Sequence, residues 1–335
     1  MRRPVVLITG ASGEIGHGLI DRLHRDASAA VVTLDLKPLD RPQAGMVERE
    51  IVGSIMDTAL LDRIMAEYEI DRIVHLAALL STRSEFSPTA AHQVNVGGTL
   101  NLLEFAEREA ESHGRPVVFL YPSSIAVFGL PDLETKESAG RVAEDVWLRP
   151  TTMYGCNKLY CEQLGRYYAH HYKQLAADAP SGRVDFRAVR FPGLISATTV
   201  PSGGTSDYAP EMLHHGAQGH PYACFVRPDT RIPFMAMADA VDALLTLAAA
   251  PRASLGRTVY NVGAFSATAE EFRARVLKAF SKAAITYDVD VKRQRIVDSW
   301  PADVDDGAAR RDWGFAPKWQ LADVVDEYRA KNSLS

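Results

Sequence analysis

The chain of 335 residues sets 37 Lys and Arg against 42 Asp and Glu, a formal net charge of −5, and 47% of it is apolar. That balance excludes a disordered chain and a strongly basic nucleic-acid binder. The most apolar long run, MAMADAVDALLTLAAA, contains Asp239 and Asp242, so it reads as an amphipathic helix and not as a membrane span. Three cysteines cannot all pair within one chain, and no His or Cys set has metal-ligand spacing, so reduced thiols and no metal are expected. MRRP runs directly into an apolar segment without a secretory leader, and a cytoplasmic protein is expected.

In chain order, VVLIT comes first and feeds Gly10, Gly13 and Gly16, after which HGLIDRLHRD has a helical pattern. Strand, tight turn and helix in that order make a dinucleotide-binding unit. Glycine allows the turn and a close backbone approach to a pyrophosphate, and the helix N-terminus offers free N–H groups to it. A second apolar run ends in Asp35, about 20 residues on, where an acid binds ribose hydroxyls and repels an added phosphate; NAD is the expected cofactor. TALLDRIMAEYEI and VNVGGTLNLLEFAERE read as helices between the strand-like runs RIVHLAA and PVVFLYPSS. Such alternation predicts an α/β fold with a doubly wound, mostly parallel Rossmann sheet. Ligands of such sheets lie at the carboxyl ends of the strands, here Gly10, Asp35, Ala77–Ser81 and Ser123–Ser124.

The run YGCNKLYCEQLGRYYAHHY then places Tyr154 and Lys158 one helical turn apart on one face. An ammonium close to a phenol favours its charged form, which makes Tyr154 a usable base, with Ser123 and Ser124 offering hydroxyls to the same oxygen. Beyond the strand VDFRAVRF, the Gly/Ser/Pro-rich ATTVPSGGTSDYAP predicts a loop over the sheet edge, followed by the helix around Asp239–Ala250, the strand TVYNVG and a short strand at AITYDV. The expected division is a dinucleotide-binding domain over 1–192 and a mainly substrate-binding domain over 193–335, with about 232–263 returning to the first. His75 reads as a packed core residue. Asp305 and Asp306 read as partners of backbone or Arg310.

The glycine turn, strand-end Ser and Tyr-x-x-x-Lys, together with HLAA at His75–Ala78, NVGGTLNLLE from Asn95 and PSSIAVFG from Pro122, resemble the extended short-chain dehydrogenase/reductase family. The resemblance covers nearly the whole chain. It implies Tyr154 as base, Lys158 as its partner and a holder of the nicotinamide ribose, and Ser124 as a donor to substrate. It also implies a cofactor site that adds Glu14, Ile15, Leu36, Ser54, Ile55, Leu76, Ala77, Ala78, Asn95, Ser123, Phe191, Pro192 and Leu194. Family members often carry an acid after the glycine of the third strand; Ser54 follows Gly53 here, so weaker adenine selection is expected.

A narrower resemblance rests on FPGLIS, GGTSDYAPEML, DTRIPFMAMADA, DSWPADVDDGAARRDWGF and LLS at Leu79–Ser81, which are similar to the NAD-dependent L-threonine 3-dehydrogenases of the short-chain type. It implies a small amino-acid substrate held among Ser81, Ser123, Ser124, Tyr154, Gly193, Thr205 and Trp300, oxidised at C3 to 2-amino-3-ketobutyrate. Arg190 could meet a substrate carboxylate or an internal one, and Arg83 could reach the substrate or face solvent. The alternatives are a sugar-nucleotide epimerase or dehydratase with the same catalytic set, and an NAD-sensing scaffold, which would not need the base. Family members pair through the helices after Asn95 and after Tyr154, so the resemblance implies a homodimer; the charges on those helices leave a monomer open. Neither nucleic acid nor membrane is an expected partner.

Overall fold

The computed structural model describes residues 3–176, 182–199, 201 and 204–332. The first half alternates strand and helix: β1 (Arg3–Thr9), α1 (Glu14–Arg25), β2 (Val31–Asp35), α2 (Arg41–Ala44), β3 (Arg49–Val52), α3 (Thr58–Glu67) and β4 (Tyr68–His75). Two short helices, α4 (Ser81–Phe86) and α5 (Pro88–His92), lead through a π-helical turn at Gln93–Gly97 into α6 (Gly98–His113), then β5 (Val117–Ser124). The connection to the next long helix holds α7 (Leu133–Ser138) and β6 (Arg141–Val142), and α8 (Met153–His170) leads to β7 (Val184–Phe191) and β8 (Gly193–Ile195). The remainder runs α9 (Tyr208–Gln218), β9 (Pro221–Cys224), β10 (Arg231–Ala236), α10 (Met237–Ala249), β11 (Val259–Asn261), β12 (Phe265–Thr268) and α11 (Ala269–Ala279). It finishes with β13 (Ala284–Tyr287), α12 (Val291–Asp298), β14 (Asp303–Val304), α13 (Gly307–Trp313) and α14 (Leu321–Asn332).

Seven parallel strands in the order β11-β7-β5-β4-β1-β2-β3 form the main sheet, so the order reverses between β1 and β4. Period-2 alternation decides which face each residue serves. Val5 and Leu7 join Leu102, Phe105 and Tyr168 of α6 and α8, while Val6 and Ile8 join Leu19 of α1 and Leu244 of α10. Both faces are covered, as a parallel sheet requires. A third core, around Tyr208, Phe234 and Phe272, lies under the three-stranded sheet β8-β10-β12.

The doubly wound α/β architecture expected from the sequence is the one observed, with an all-parallel main sheet. Two boundaries differ. Tyr68, Glu69 and Ile70, read as the end of a helix, open β4, because they pair with Arg3, Pro4 and Val5. The loop expected over ATTVPSGGTSDYAP stops short of its last three residues, since α9 begins at Tyr208; its Val200, Ser202 and Gly203 lie outside the described residues, as do residues 177–181 before β7.

Candidate active site

A cleft of about 750 Å³ opens at the carboxyl ends of the central strands. Gly10 turns the chain out of β1 at φ 69°, and a Cβ there would stand 2.4 Å from the Ala77 nitrogen. The turn therefore rests directly on the backbone that follows β4. Gly13 caps α1 with no side-chain acceptor, which leaves the first N–H groups of the helix to a ligand. Asp35 is fixed at the end of β2: Oδ2 accepts from Ser12 N and Oδ1 from Lys37 N, each at 3.0 Å.

Further along the same sheet edge, Ser123 and Ser124 end β5, and Tyr154 and Lys158 lie in the first two turns of α8. The Thr152 hydroxyl starts that helix by accepting from Gly155 N at 3.0 Å. Gly155 itself presses on β5's continuation, since a Cβ there would lie 2.1 Å from the Ala126 carbonyl oxygen. Lys158 Nζ donates to Pro122 O at 2.6 Å and sits 4.5 Å from the Tyr121 ring centre and 5.5 Å from that of Tyr154. Burial pushes the Lys158 ammonium down to about 8, with Cys161 and Glu162 opposing. Burial likewise raises the Tyr154 phenol above its ordinary value. The ammonium donates to a main-chain carbonyl and not to the phenol, and the expected lowering of the phenol's pKa is not seen.

Beneath Ser123 lies a buried ion pair. Ser123 Oγ donates to Glu162 Oε1 at 2.5 Å, and Arg190 meets Glu162 through Nε and Nη2 at 2.9 and 2.7 Å. Arg190 Nη1 also donates to Glu144 O at 2.7 Å. Of the two roles open to Arg190, the internal one is therefore observed. Arg83 is exposed on α4. His75 is a core residue: its ring nitrogens meet Thr9 and Thr99 at 2.8 and 3.0 Å, and burial drives its pKa down to about 3, so it stays neutral. Asp306 binds Arg310 at 2.7 Å, and Asp305 accepts from Gly307 N at 2.9 Å.

The opposite wall carries Ser81, Gly193, Leu194 and Trp300. Ser81 Oγ lies 3.3 Å from Thr205 N and 3.4 Å from Thr205 Oγ1. Trp300 is held through Ser299, whose carbonyl accepts from Leu130 N at 2.8 Å and whose hydroxyl meets Thr151 Oγ1 at 3.0 Å. Of the site residues expected from the sequence, all but two line the cleft. Thr205 is buried behind Ser81. Asn95 is buried in the π-helical turn, where Oδ1 accepts from Leu79 N at 2.7 Å and Nδ2 donates to Leu79 O at 3.0 Å, so it grips the backbone just before Ser81. Lining residues not anticipated include Lys37, Thr199, Ser206, Asp207 and Met237. Ser206 and Asp207 stand within the quoted motif GGTSDYAPEML, Met237 within DTRIPFMAMADA and Thr199 within the loop run ATTVPSGGTSDYAP; Lys37 carries no local signal. No cluster of three or more His, Cys, Asp or Glu fit for a metal occurs among the described residues.

The fold and this cleft define a nicotinamide-dependent enzyme of the extended short-chain dehydrogenase/reductase type. The chain belongs to the NAD dependent epimerase/dehydratase family, which it matches over residues 6–263. It is 36% identical to the mitochondrial L-threonine 3-dehydrogenase of Bos taurus over 96% of this chain and 80% of the bovine protein. Among solved structures it is similar to the holo form of a GalE-like L-threonine dehydrogenase from Cupriavidus necator, with TM-score 0.85, 34% identity, and 98% and 99% of the two chains covered. A monomeric L-threonine 3-dehydrogenase from a metagenome database gives TM-score 0.83 at 34% identity, with 98% of each chain covered. The close turn at Gly10, the uncapped N-terminus of α1 and the fixed carboxylate of Asp35 fit NAD as the cofactor.

Proposed function

We propose that this protein oxidises the C3 hydroxyl of L-threonine to give 2-amino-3-ketobutyrate. The observation that carries the reading is the meeting of Ser124, Tyr154 and Lys158 in one cleft whose far wall is made by Ser81 and Trp300. The relatives and solved structures named as L-threonine 3-dehydrogenases support it.

NAD would be held by the β1–α1 turn, Asp35 and Lys158, and supplies the acceptor for the hydride that leaves C3. The Tyr154 oxygen takes the hydroxyl proton, and the Ser124 hydroxyl donates to the oxygen that becomes a carbonyl. Lys158 must turn from Pro122 O towards the ribose and phenol to favour the phenolate, because burial alone holds the phenol protonated. Ser81, backed by Thr205, and Trp300 orient the amino acid so that C3 faces the nicotinamide. Homodimer formation through α6 and α8 belongs to the same reading. So does a reducing cytoplasm, in keeping with three free cysteines.

The test is NADH formation with L-threonine, D-threonine, L-allo-threonine, serine and UDP-sugars. L-Threonine should react, its stereoisomers poorly. Serine, lacking one methyl, should be slower by roughly 10- to 200-fold. No NADH from L-threonine, with conversion of a UDP-sugar, would establish an epimerase or dehydratase instead.

A further inference from the structure

The first turn of α1 carries an acid where an anion is to bind. Glu14 lines the cleft beside the helix N-terminus, and no ion pair holds its carboxylate among the described residues. Thr199 and Asp207, both between β8 and the first turn of α9, line the same cleft. The Thr199 hydroxyl lies next to the Glu14 carboxyl, and its oxygen is buried with no hydrogen-bond partner among the described residues. The turn bearing Thr199 is firmly held: Ser196 Oγ accepts from Thr198 N and Thr199 N at 3.2 and 3.3 Å, and His214 Nε2 lies 2.9 Å from Thr199 O. Tyr328 of α14 donates to Ser196 O at 2.6 Å.

A second carboxylate, Asp207, acts on Glu14 from the start of α9, with Oδ2 accepting from Gly204 N at 2.6 Å. The other groups near this turn do not supply a cation to Glu14. The Tyr328 phenol interacts with Glu14 from α14, and Lys331 of that helix is engaged with Thr198 Oγ1 at 2.6 Å and Glu327 at 3.1 Å. Burial lowers the pKa of His214 on α9, and His17 Nε2 on Glu14's own helix is buried without a hydrogen-bond partner among the described residues. Burial foremost, then the Asp207 charge, raise the Glu14 carboxyl above the ordinary carboxylate range, while Thr199 opposes them.

We propose that Glu14 is a proton-linked gate for the dinucleotide, its carboxylate taking up a proton from solvent as the diphosphate settles at the α1 N-terminus. This rests on NAD lying with its diphosphate there. A diphosphate beside Glu14 disfavours the carboxylate further, so the bound pKa exceeds the free one. NAD affinity is then highest below the free pKa, falls by up to about tenfold per pH unit between the two, and levels off above the bound pKa.

Calorimetric titration of the full chain with NAD from pH 5.5 to 8.5, in two buffers of different ionisation enthalpy, tests this. The wild type should take up a proton and bind more weakly as pH rises. Glu14→Gln keeps the shape but loses the charge; it should bind roughly tenfold more tightly at pH 8.5, with a flattened profile. Thr199→Val removes the group that favours the carboxylate and should move the wild-type curve to higher pH, a shift that loosened packing alone would not give. Adenosine, which has no phosphate, should bind without pH dependence in every variant. An unaltered pH profile in Glu14→Gln, or no proton uptake by the wild type, overturns the gate. Binding of adenosine without any binding of NAD overturns the dinucleotide reading on which it rests.

Discussion

The two walls of the cleft are built by different means. The sheet wall is made of backbone continuations: Gly10, Asp35 and Ser123–Ser124 follow from strands whose side chains are buried on both faces, and Tyr154 follows from a helix seated on them. The opposite wall hangs on single polar side chains from distant parts of the chain. Lys136 Nζ donates to Val297 O at 3.0 Å, Arg293 Nη2 to Gly204 O at 2.7 Å, and Arg227 grips Asp298 at 2.9 and 3.0 Å. The first wall forms with the core. The second rests on the separate core to which Val297 and Trp300 belong, and is tied to the rest of the chain by hydrogen bonds that can be removed one at a time. Chemistry common to a family suits the first; substrate choice suits the second.

The largest effect should come from the sheet wall. Tyr154→Phe should lose roughly two to four orders of magnitude in turnover while NAD affinity and the melting temperature stay near wild type. Turnover close to wild type would remove Tyr154 from the chemistry.

The ion pair beneath Ser123 tests whether that wall is inseparable from the core. The Glu162 and Arg190 side chains are 0% and 3% exposed. Arg190→Leu strands a buried carboxylate and should cost about 3–5 kcal/mol in denaturant unfolding, as should Glu162→Gln by leaving a buried guanidinium. The double variant should recover much of the loss. Additive losses in the double variant would mean that the pair is not a coupled unit.

A smaller and more selective effect should come from the opposite wall. Arg293→Ala releases the Gly204 carbonyl and removes the cation above the Phe225 ring. A hydrogen bond from a charged donor contributes about 1.5–3 kcal/mol, so the KM for the amino acid should rise about tenfold or more. The kcat should change little, and the KM for NAD should change less than that for the amino acid, through the Gly204–Asp207 contact beside Glu14. Equal rises in both KM values would show that the walls are not separable.

The same contrast governs what the sequence discloses. VDFRAVRF is β7 residue for residue, and the strand ends it helps to order supply the sheet wall. β3 carries no apolar run, because REIV is an edge strand with no fully buried position, and only the family resemblance points to a third strand before Gly53. The short helices α4 and α5 lie in a polar stretch too brief for helical periodicity. Side-chain partners are harder still. Arg190 is paired by a carboxylate 28 positions upstream, on a helix, and Asn95 and Thr205 act from behind residues that line the cleft. Such choices depend on which surfaces meet in space, and neither propensity nor spacing along the chain records them.

The contact between Gly155 and the Ala126 carbonyl has a consequence for anyone wishing to redesign this protein. Main-chain atoms have no rotamers, so the gap between the end of β5 and the start of α8 is the same in every side-chain state of the cleft. A library that randomises Ser81, Trp300 and their neighbours would change which molecule is admitted while leaving the span between Ser124 and Tyr154 untouched. A library that includes position 155 would force the two elements apart with any larger residue, and most of its members would be lost for geometric reasons before selectivity could be sampled.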